Sequence, residues 1–332
     1  MKKWSIAYVN YKTSIYMKWQ LKGLYEFNNP NDFELIIVDN SRPHEAEALE
    51  KIIKPYQEKY NNIKIIYYKP IAIKASDQHG EALDVAKEYA TAKYFLTQDP
   101  DFFWVKQNYL KWFESFLDKD FVAIGAPYQN KTTNGHPYFP CAYGCAHPLK
   151  LIKDITYKPD FSDESLLEIK NLSQGYIFSR DVGWQIRVAL STPKSTNFIS
   201  FDQRKARELF WILGTHSYEF LTREYMFNNK TVAFHLFRGS FTGEVKDFID
   251  ENKKTPEKWL DIREQYSQYF YRTLKKGVES SILRYIYKNI LVLFSYLPYT
   301  YKREIARVLF KIFLNKKFNY EDFNNYLRCF YD

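Results

Sequence analysis

Lys93-Tyr94-Phe95-Leu96-Thr97-Gln98-Asp99-Pro100-Asp101-Phe102-Phe103-Trp104 is the stretch on which the fold turns. Tyr94 to Leu96 is a short apolar run that reads as a buried strand, and it leads into two carboxylates separated by one proline. Side chains alternate along an extended chain, so Asp99 and Asp101 can point the same way. Pro100 has no N–H and a fixed φ, which stops the sheet ladder and stiffens the pair. Two hard oxygen ligands at the C-terminal end of a strand suit Mg²⁺ or Mn²⁺, ions that keep waters and substrate phosphates in their shell. An isolated Asp-x-Asp is more often a solvated strand-end turn, so its meaning depends on the chain around it.

Upstream, the pattern is regular. Ser5 to Val9 reads as a strand and Ser14 to Phe27 as an amphipathic helix, broken by Asn28-Asn29-Pro30-Asn31-Asp32. Phe33 to Val38 is a near-continuous apolar run ending at Asp39-Asn40-Ser41. Glu45 to Tyr60 reads as a helix, Ile63 to Tyr68 as a third strand, Gly80 to Ala92 as a helix and Tyr94 to Thr97 as a fourth strand. Apolar strands alternating with helices imply a parallel sheet covered on both faces. In such sheets the functional loops lie at the strands' C-terminal ends, where Asp39 and Asp99 both fall. Neither a Gly-x-Gly-x-x-Gly turn nor a Gly-Lys-Ser/Thr loop follows a strand, which argues against dinucleotide and P-loop chemistry.

Downstream, Tyr109 to Leu117 reads as a helix and Phe121 to Ala126 as a strand, followed by an irregular, Pro- and Tyr-rich region at 127–147. Ser179 to Trp184 opens a helix with Asp181 near its start, and Phe198–Phe201 and Thr231–Leu236 read as strands. Beyond Thr255 the pattern is helical to the end. The domain expectation is therefore a sheet domain over residues 1–250 and a helical, basic and aromatic region over 251–332.

The 332 residues allow a large core, because aromatic residues make up 19% of the chain and bury large areas. Three cysteines make no disulfide framework and point to a reducing compartment. With no signal-peptide h-region and no membrane-span-length apolar run, the expected location is cytoplasmic. Net charge is +9, and residues 272–317 account for all of it, with eleven Lys and Arg against Glu279 and Glu304. That asymmetry marks a local basic surface. Within it Ile305, Val308, Leu309, Ile312 and Phe313 form one stripe beside Arg303, Arg307 and Lys311, so the segment is expected to meet an anionic membrane surface on the inner face of the cell membrane. A helix packed on the main domain explains the same pattern. No RNA- or DNA-binding motif accompanies the charge, so no nucleic-acid partner is expected.

The order of these elements over residues 4 to 240 resembles a family 2 glycosyltransferase with the GT-A fold. The resemblance rests on the opening strand, Ile37-Val38-Asp39-Asn40-Ser41, His79-Gly80-Glu81-Ala82-Leu83-Asp84, the Asp99-Pro100-Asp101 strand end, an acidic residue opening a helix, and a late strand carrying histidine. His-Gly-x-Ala-Leu ahead of Asp-Pro-Asp resembles a sub-group of bacterial polysaccharide transferases. The resemblance implies an α/β fold with a mostly parallel GT-A-type sheet flanked by helices, here with a C-terminal helical appendage. It also implies inverting, metal-dependent transfer of a sugar from a nucleotide-sugar donor, a UDP-sugar, to a bacterial surface glycan or lipid-linked glycan acceptor. The cofactor implied is Mn²⁺ or Mg²⁺.

The resemblance also distributes roles. Asp101 holds the metal, with Asp99 beside it reaching the ribose or a metal-bound water; His235 in Phe234-His235-Leu236 completes the metal or diphosphate site, and Arg238 contacts phosphate. Asp39 contacts the nucleobase, and Asn10 closes the first strand beside it. Gly80 lets the backbone approach the nucleotide and Asp84 hydrogen-bonds within the site, with His79 alongside, although Gln78-His79-Gly80 equally reads as a helix start. Asp181 is the candidate base for the acceptor hydroxyl, in Arg180-Asp181 where the family commonly has Glu-Asp; Asp163, Glu164 and Asp202 are substitutes. Trp184 suits a sugar face or the core. Cys141-x-x-x-Cys145-x-His147 lacks the fourth ligand of a structural zinc site. Two rivals stay open: a catalytically silent scaffold binding glycan or membrane, and a sugar nucleotidyltransferase, which would carry a Gly-rich loop where this chain has Asn10-Tyr11-Lys12-Thr13.

Overall fold

The structure is a computed structural model that describes residues 2–41, 43–127, 138–140, 142–159, 182–190, 197–206, 209, 222–236, 256–276, 301 and 304. The first half of the chain alternates strand and helix as its apolar periodicity requires: β1 (Trp4–Asn10), α1 (Ser14–Phe27), β2 (Phe33–Asp39), α2 (Pro43–Lys59), β3 (Ile63–Tyr67), α3 (Ala75–Glu88) and β4 (Tyr94–Gln98). There follow β5 (Phe102–Trp104), α4 (Tyr109–Leu117), β6 (Ala123–Gly125), β7 (Gly144–Pro148), α5 (Leu149–Ile152), α6 (Trp184–Leu190), β8 (Phe198–Ser200), β9 (Asp202–Lys205), β10 (Thr222–Phe227), β11 (Lys230–Leu236) and α7 (Pro256–Lys276).

Seven strands form the main sheet in the order β3-β2-β1-β4-β7-β6-β8. β1 pairs in parallel with β2 and β4, β2 with β3, and β6 with β8, while β7 runs against both its neighbours. β1 and β2 lie in the interior of this sheet, and their residues are buried on both faces. This explains their near-continuous apolar character. Trp4, Ile6, Tyr8, Leu35 and Ile37 pack on one face with α1 and α4; Ala7, Val9, Ile36 and Val38 pack on the other with Ala82, Leu83 and Ala86 of α3. The expected α/β architecture, a mostly parallel sheet flanked by helices, is what forms.

A second sheet, in the order β5-β11-β10-β9, is antiparallel and leaves the first immediately after Asp101. The sequence pattern did not announce it, nor β7, which lies in the region expected to be irregular. β7 reads Gly144-Cys145-Ala146-His147-Pro148, without an apolar run, yet every residue is buried. Its small residues are a packing requirement: a Cβ on Gly144 would lie 2.6 Å from the Phe102 ring, and one on Gly125 opposite would lie 2.2 Å from the Gly144 carbonyl oxygen. α3 begins at Ala75, five residues before the expected start, because its first turn carries no core-facing apolar residue to mark it. Helix α7, expected in a separate C-terminal region, shares a core with the sheet domain. Tyr266 and Phe270 pack with Phe103, Phe234 and Leu236, and Gly23 of α1 admits Leu274. Among the described residues no helix is long and apolar enough to cross a membrane. Nearly all of the basic segment 272–317 lies outside the described residues.

One buried polar pair sits on β7. His147 Nδ1 lies 3.0 Å from the Val122 carbonyl, which only accepts, so Nδ1 carries the proton and Nε2, 3.1 Å from Cys145 Sγ, accepts from the thiol. Burial pushes the imidazole down to about 4, and the Val122 hydrogen bond only partly opposes it. An unfolded chain protonates this ring near its ordinary value of about 6.5 while the folded chain holds it neutral. The stabilisation is therefore complete above that value and is lost as pH falls from 6.5 towards 4, by about 3 kcal/mol over the window. Urea unfolding at pH 7 and pH 4.5 should show this loss in the native protein and a shallower one in His147→Gln; equal slopes in the two would remove the assignment.

Candidate active site

Main-sheet pairing ends, and the second sheet begins, at a turn closed by the Phe102 amide donating to the Asp99 carbonyl at 3.0 Å. Pro100 occupies the second position of this turn, where its fixed φ fits and no N–H is required. The Asp101 carbonyl accepts from the Leu236 amide at 3.0 Å, and the carbonyls of Pro100 and Phe102 are met by two buried glutamines. Gln20 Nε2, from the core side of α1, donates to Pro100 O at 2.8 Å and Phe102 O at 2.5 Å. Gln98 Nε2 donates to Phe102 O at 2.7 Å and to Gln20 Oε1 at 2.5 Å, while Trp104 Nε1 donates to Gln98 Oε1 at 2.9 Å. With its carbonyls satisfied inside, the turn presents Asp99 and Asp101 on its other side.

Strand register then supplies the third group. β11 pairs antiparallel with β5, His235 opposite Phe102, which sets the imidazole beside the residue preceding Phe102. His235 Nε2 lies 3.3 Å from Asp101 Oδ1, with both side chains buried. Tyr143 stacks on the His235 ring at 4.8 Å between centroids and fixes its plane. Ligand-capable atoms of Asp99, Asp101 and His235 all lie within 4.8 Å of one another. Asp99 is the most open of the three and faces His79 of α3, with Nε2 3.4 Å from its Oδ1. A cleft of about 220 Å³ opens here, lined among the described residues by Ala75, Ser76, His79, Asp99, Ala142, Tyr143 and Val182.

A second polar corner lies at the same edge of the sheet. Parallel pairing of β1 with β2 sets Asn10 opposite Asp39, and Asn10 Nδ2 donates to Asp39 Oδ1 at 3.0 Å. The Ser41 amide donates to the same oxygen at 3.1 Å, and Thr13 Oγ1 holds Asn10 by donating to its Oδ1 at 2.9 Å. Asp39 Oδ2 is buried with no hydrogen-bond partner among the described residues. A buried acceptor whose other oxygen is held by neighbours, and which lacks a donor of its own, is a candidate receptor for one. β2 and β4 flank β1, so this corner and the Asp99 turn stand about 10 Å apart by strand spacing.

The remaining sequence candidates fall elsewhere. Asp84 accepts from Thr156 Oγ1, from the Tyr157 amide at 2.9 Å and from Lys87 Nζ at 3.0 Å, tying α3 to the chain that follows α5. Gly80 serves that same junction: a Cβ there would lie 2.8 Å from Lys158 Cα. The close backbone approach that this glycine permits is to residues 157–158, and it sits in the second turn of α3, not at the helix start. Asp202 is exposed on β9, and Trp184 is buried. Asp181, Arg238, Asp163, Glu164 and Cys141 lie outside the described residues, although Val182, next to Asp181, lines the cleft. Cys145 and His147 are both buried and face each other. Gln20 and Tyr143 were missed in the sequence. Gln20 carried a signal, as a polar residue on the stripe formed by Met17, Leu21 and Leu24; Tyr143 carried none.

The chain is similar to three kinds of solved structure. Staphylococcus aureus TarS 1–349 in complex with UDP-GlcNAc matches at TM-score 0.35 and 18% identity over 46% of this chain and 47% of that one. The mannosyltransferase PcManGT from Pyrobaculum calidifontis in complex with GDP-Man and Mn²⁺ matches at TM-score 0.39 and 13% identity, over 92% and 84%. The galactosyltransferase LgtC in complex with donor and acceptor sugar analogs matches at TM-score 0.40 and 12% identity, over 61% and 74%. Matched regions span from 38% to 63% of the TarS chains. No protein-family model matches the chain. No curated protein matches it either.

Proposed function

We propose that the protein is an inverting, metal-dependent glycosyltransferase that moves a sugar from a UDP-sugar to a bacterial surface glycan acceptor. The observation that carries this reading is the convergence of Asp99, Asp101 and His235 on one point at the cleft, at the sheet edge that also holds the Asp39 receptor. Two carboxylates and one imidazole fit a divalent cation. The oxygen-rich set suits Mn²⁺ or Mg²⁺, and the imidazole favours Mn²⁺ of the two. When bound, such an ion supplies positive charge for a diphosphate leaving group.

The chain's own residues account for the rest. Asp39 Oδ2 accepts from a base that carries a ring N–H, which uracil, thymine and guanine have and cytosine and adenine lack at the corresponding edge. Asn10 and Ser41 prevent the carboxylate from turning away, so discrimination is built into the strand pair. The strand spacing between this corner and the Asp99 turn matches the reach from a nucleobase to the phosphates of one nucleotide. Asp181 is the proposed base for the acceptor hydroxyl, because the residue after it lines the cleft beside Asp99. Arg238, shortly after His235, is the proposed phosphate contact. The acceptor, glycan or lipid-linked glycan, would enter from the open side of the cleft.

Calorimetric titration of UDP tests the metal arm. Heat should require Mn²⁺, vanish with chelator and vanish in Asp101→Asn with the fold retained by circular dichroism; metal-independent binding of UDP would reject this reading. The base-reading arm has its own test. Asp39→Asn keeps the bonds from Asn10 and Ser41 through its carbonyl oxygen and turns an N–H₂ towards the base. UDP affinity should fall about tenfold or more while CDP, which offers an acceptor there, gains on it. Unchanged UDP-over-CDP preference in the variant would move nucleobase recognition away from Asp39.

A further inference from the structure

Six large hydrophobic side chains are exposed among the described residues, and four of them are tyrosines, whose hydroxyls are at home in water. The other two are Ile71 and Ile73, 87% and 95% exposed, side by side in the loop between β3 and α3. Scattered exposed apolar residues are ordinary, but two neighbouring isoleucines almost wholly in water form a small patch that calls for a cause.

Their exposure is imposed by hydrogen bonds to the buried Glu81 and to Gln78. Glu81, in the second turn of α3, accepts at Oε2 from the Ile71 amide at 3.0 Å, the Ala72 amide at 3.3 Å and the Tyr68 hydroxyl at 3.3 Å. Gln78 Nε2 donates to the Ala72 carbonyl at 2.9 Å. The backbone at 71–72 is thereby fastened to the helix. Burial pushes the Glu81 carboxyl up, but Lys158, 3.2 Å from its Oε1, and the two loop amides outweigh burial and hold it below the usual carboxylate range. The fastening is therefore charged at neutral pH. Ala72 turns towards the protein, and the alternation of side chains sends Ile71 and Ile73 outwards together.

The loop's own charged side chains are all basic, with Asp77 following in the first turn of α3. From Tyr60 to Ser76 the chain holds Lys64, Lys69 and Lys74 and no Asp or Glu, and all three lysines are exposed. An apolar tip flanked by lysines on a pinned loop matches the boundary of an anionic bilayer, where isoleucine enters the acyl region and ammonium groups stay among the headgroup phosphates. A protein partner would have to be both apolar and acidic over a few residues.

We propose that residues 69–74 form a membrane-contact loop, with Ile71 and Ile73 inserting into an anionic lipid surface and Lys69 and Lys74 meeting its headgroups. The loop lies at the C-terminal edge of the sheet, next to the cleft-lining first turn of α3, so docking through it sets the mouth of the cleft towards the lipid. This inference does not depend on the transferase reading, since it uses neither the Asp99 cluster nor Asp39.

Co-sedimentation of the full chain with vesicles of phosphatidylcholine, with and without 30% phosphatidylglycerol by our choice of composition, tests it as a function of salt. The native protein should bind only the anionic vesicles. Ile71→Ser/Ile73→Ser, which changes no charge and leaves the basic segment 272–317 intact, should weaken that binding by about tenfold or more. Lys69→Gln/Lys74→Gln should weaken it at low salt and reduce its salt dependence. Absence of native binding, or equal binding by the isoleucine variant, would overturn the proposal. Two control measurements on the isoleucine variant without vesicles complete the test. Loss of UDP binding would assign the loop to the nucleotide cleft instead, and dissociation of a native oligomer in sedimentation velocity would assign the isoleucines to a second copy of the chain; either result overturns the lipid assignment. Vesicle binding lost with unchanged sedimentation, and with UDP binding no weaker than whatever the native protein shows, supports it.

Discussion

Two buried amides, Gln20 and Gln98, hold a single turn, and the rest of the site depends on that turn. Between Gln98 and Phe102 the chain must leave a parallel sheet, enter an antiparallel one and keep two carboxylates within a few ångströms of each other. Such a turn would strand inward-facing carbonyls in an apolar core, at a cost of about 1–3 kcal/mol for each left unpaired. Gln20 and Gln98 satisfy those carbonyls and each other, and Trp104 closes the network. Asp99 and Asp101 each face one imidazole, His79 Nε2 at 3.4 Å from Asp99 Oδ1 and His235 Nε2 at 3.3 Å from Asp101 Oδ1.

The same sheet geometry explains why the two acidic corners stand apart. β1 lies at the centre of four parallel strands, and its two neighbours carry the two acidic ends. Asp39 ends β2 and is held by Asn10 across the β1–β2 register; Asp99 follows β4 on the other side. Strand spacing sets the separation, so neither corner can drift relative to the other without breaking ladder hydrogen bonds. A rigid sheet thus supplies the preorganisation that a charged, extended ligand requires.

Much of the first hundred residues was legible because burial leaves a local trace. β1, β2, β3, β4, α1 and α2 follow from apolar runs and periodic stripes, and Asp39, Asp99 and Asp101 follow from lying at strand ends. β7 left no such trace: Gly144 lets the Phe102 ring approach and Gly125 lets β7 itself approach, which is a property of their neighbours. The first turn of α3 faces the cleft and a polar loop, so its residues show no apolar period. Gly80 and Asp84 stood out rightly as unusual, but they join α3 to residues 156–158, a contact that sequence spacing does not express.

By itself the sequence determined the alternation of strands and helices, the parallel character of the first half and the two acidic strand ends, because hydrophobic periodicity and proline chemistry act over a few residues. Tertiary structure alone decided which distant side chains meet. His235 reaches Asp101 through the register of β11 on β5, Tyr143 reaches His235 through β7, and Gln20 reaches the turn because α1 packs across the sheet at that height. Such contacts arise from strand pairing and close packing between segments far apart in the chain. Their cause is the filling of a shared core, which no window of local sequence contains.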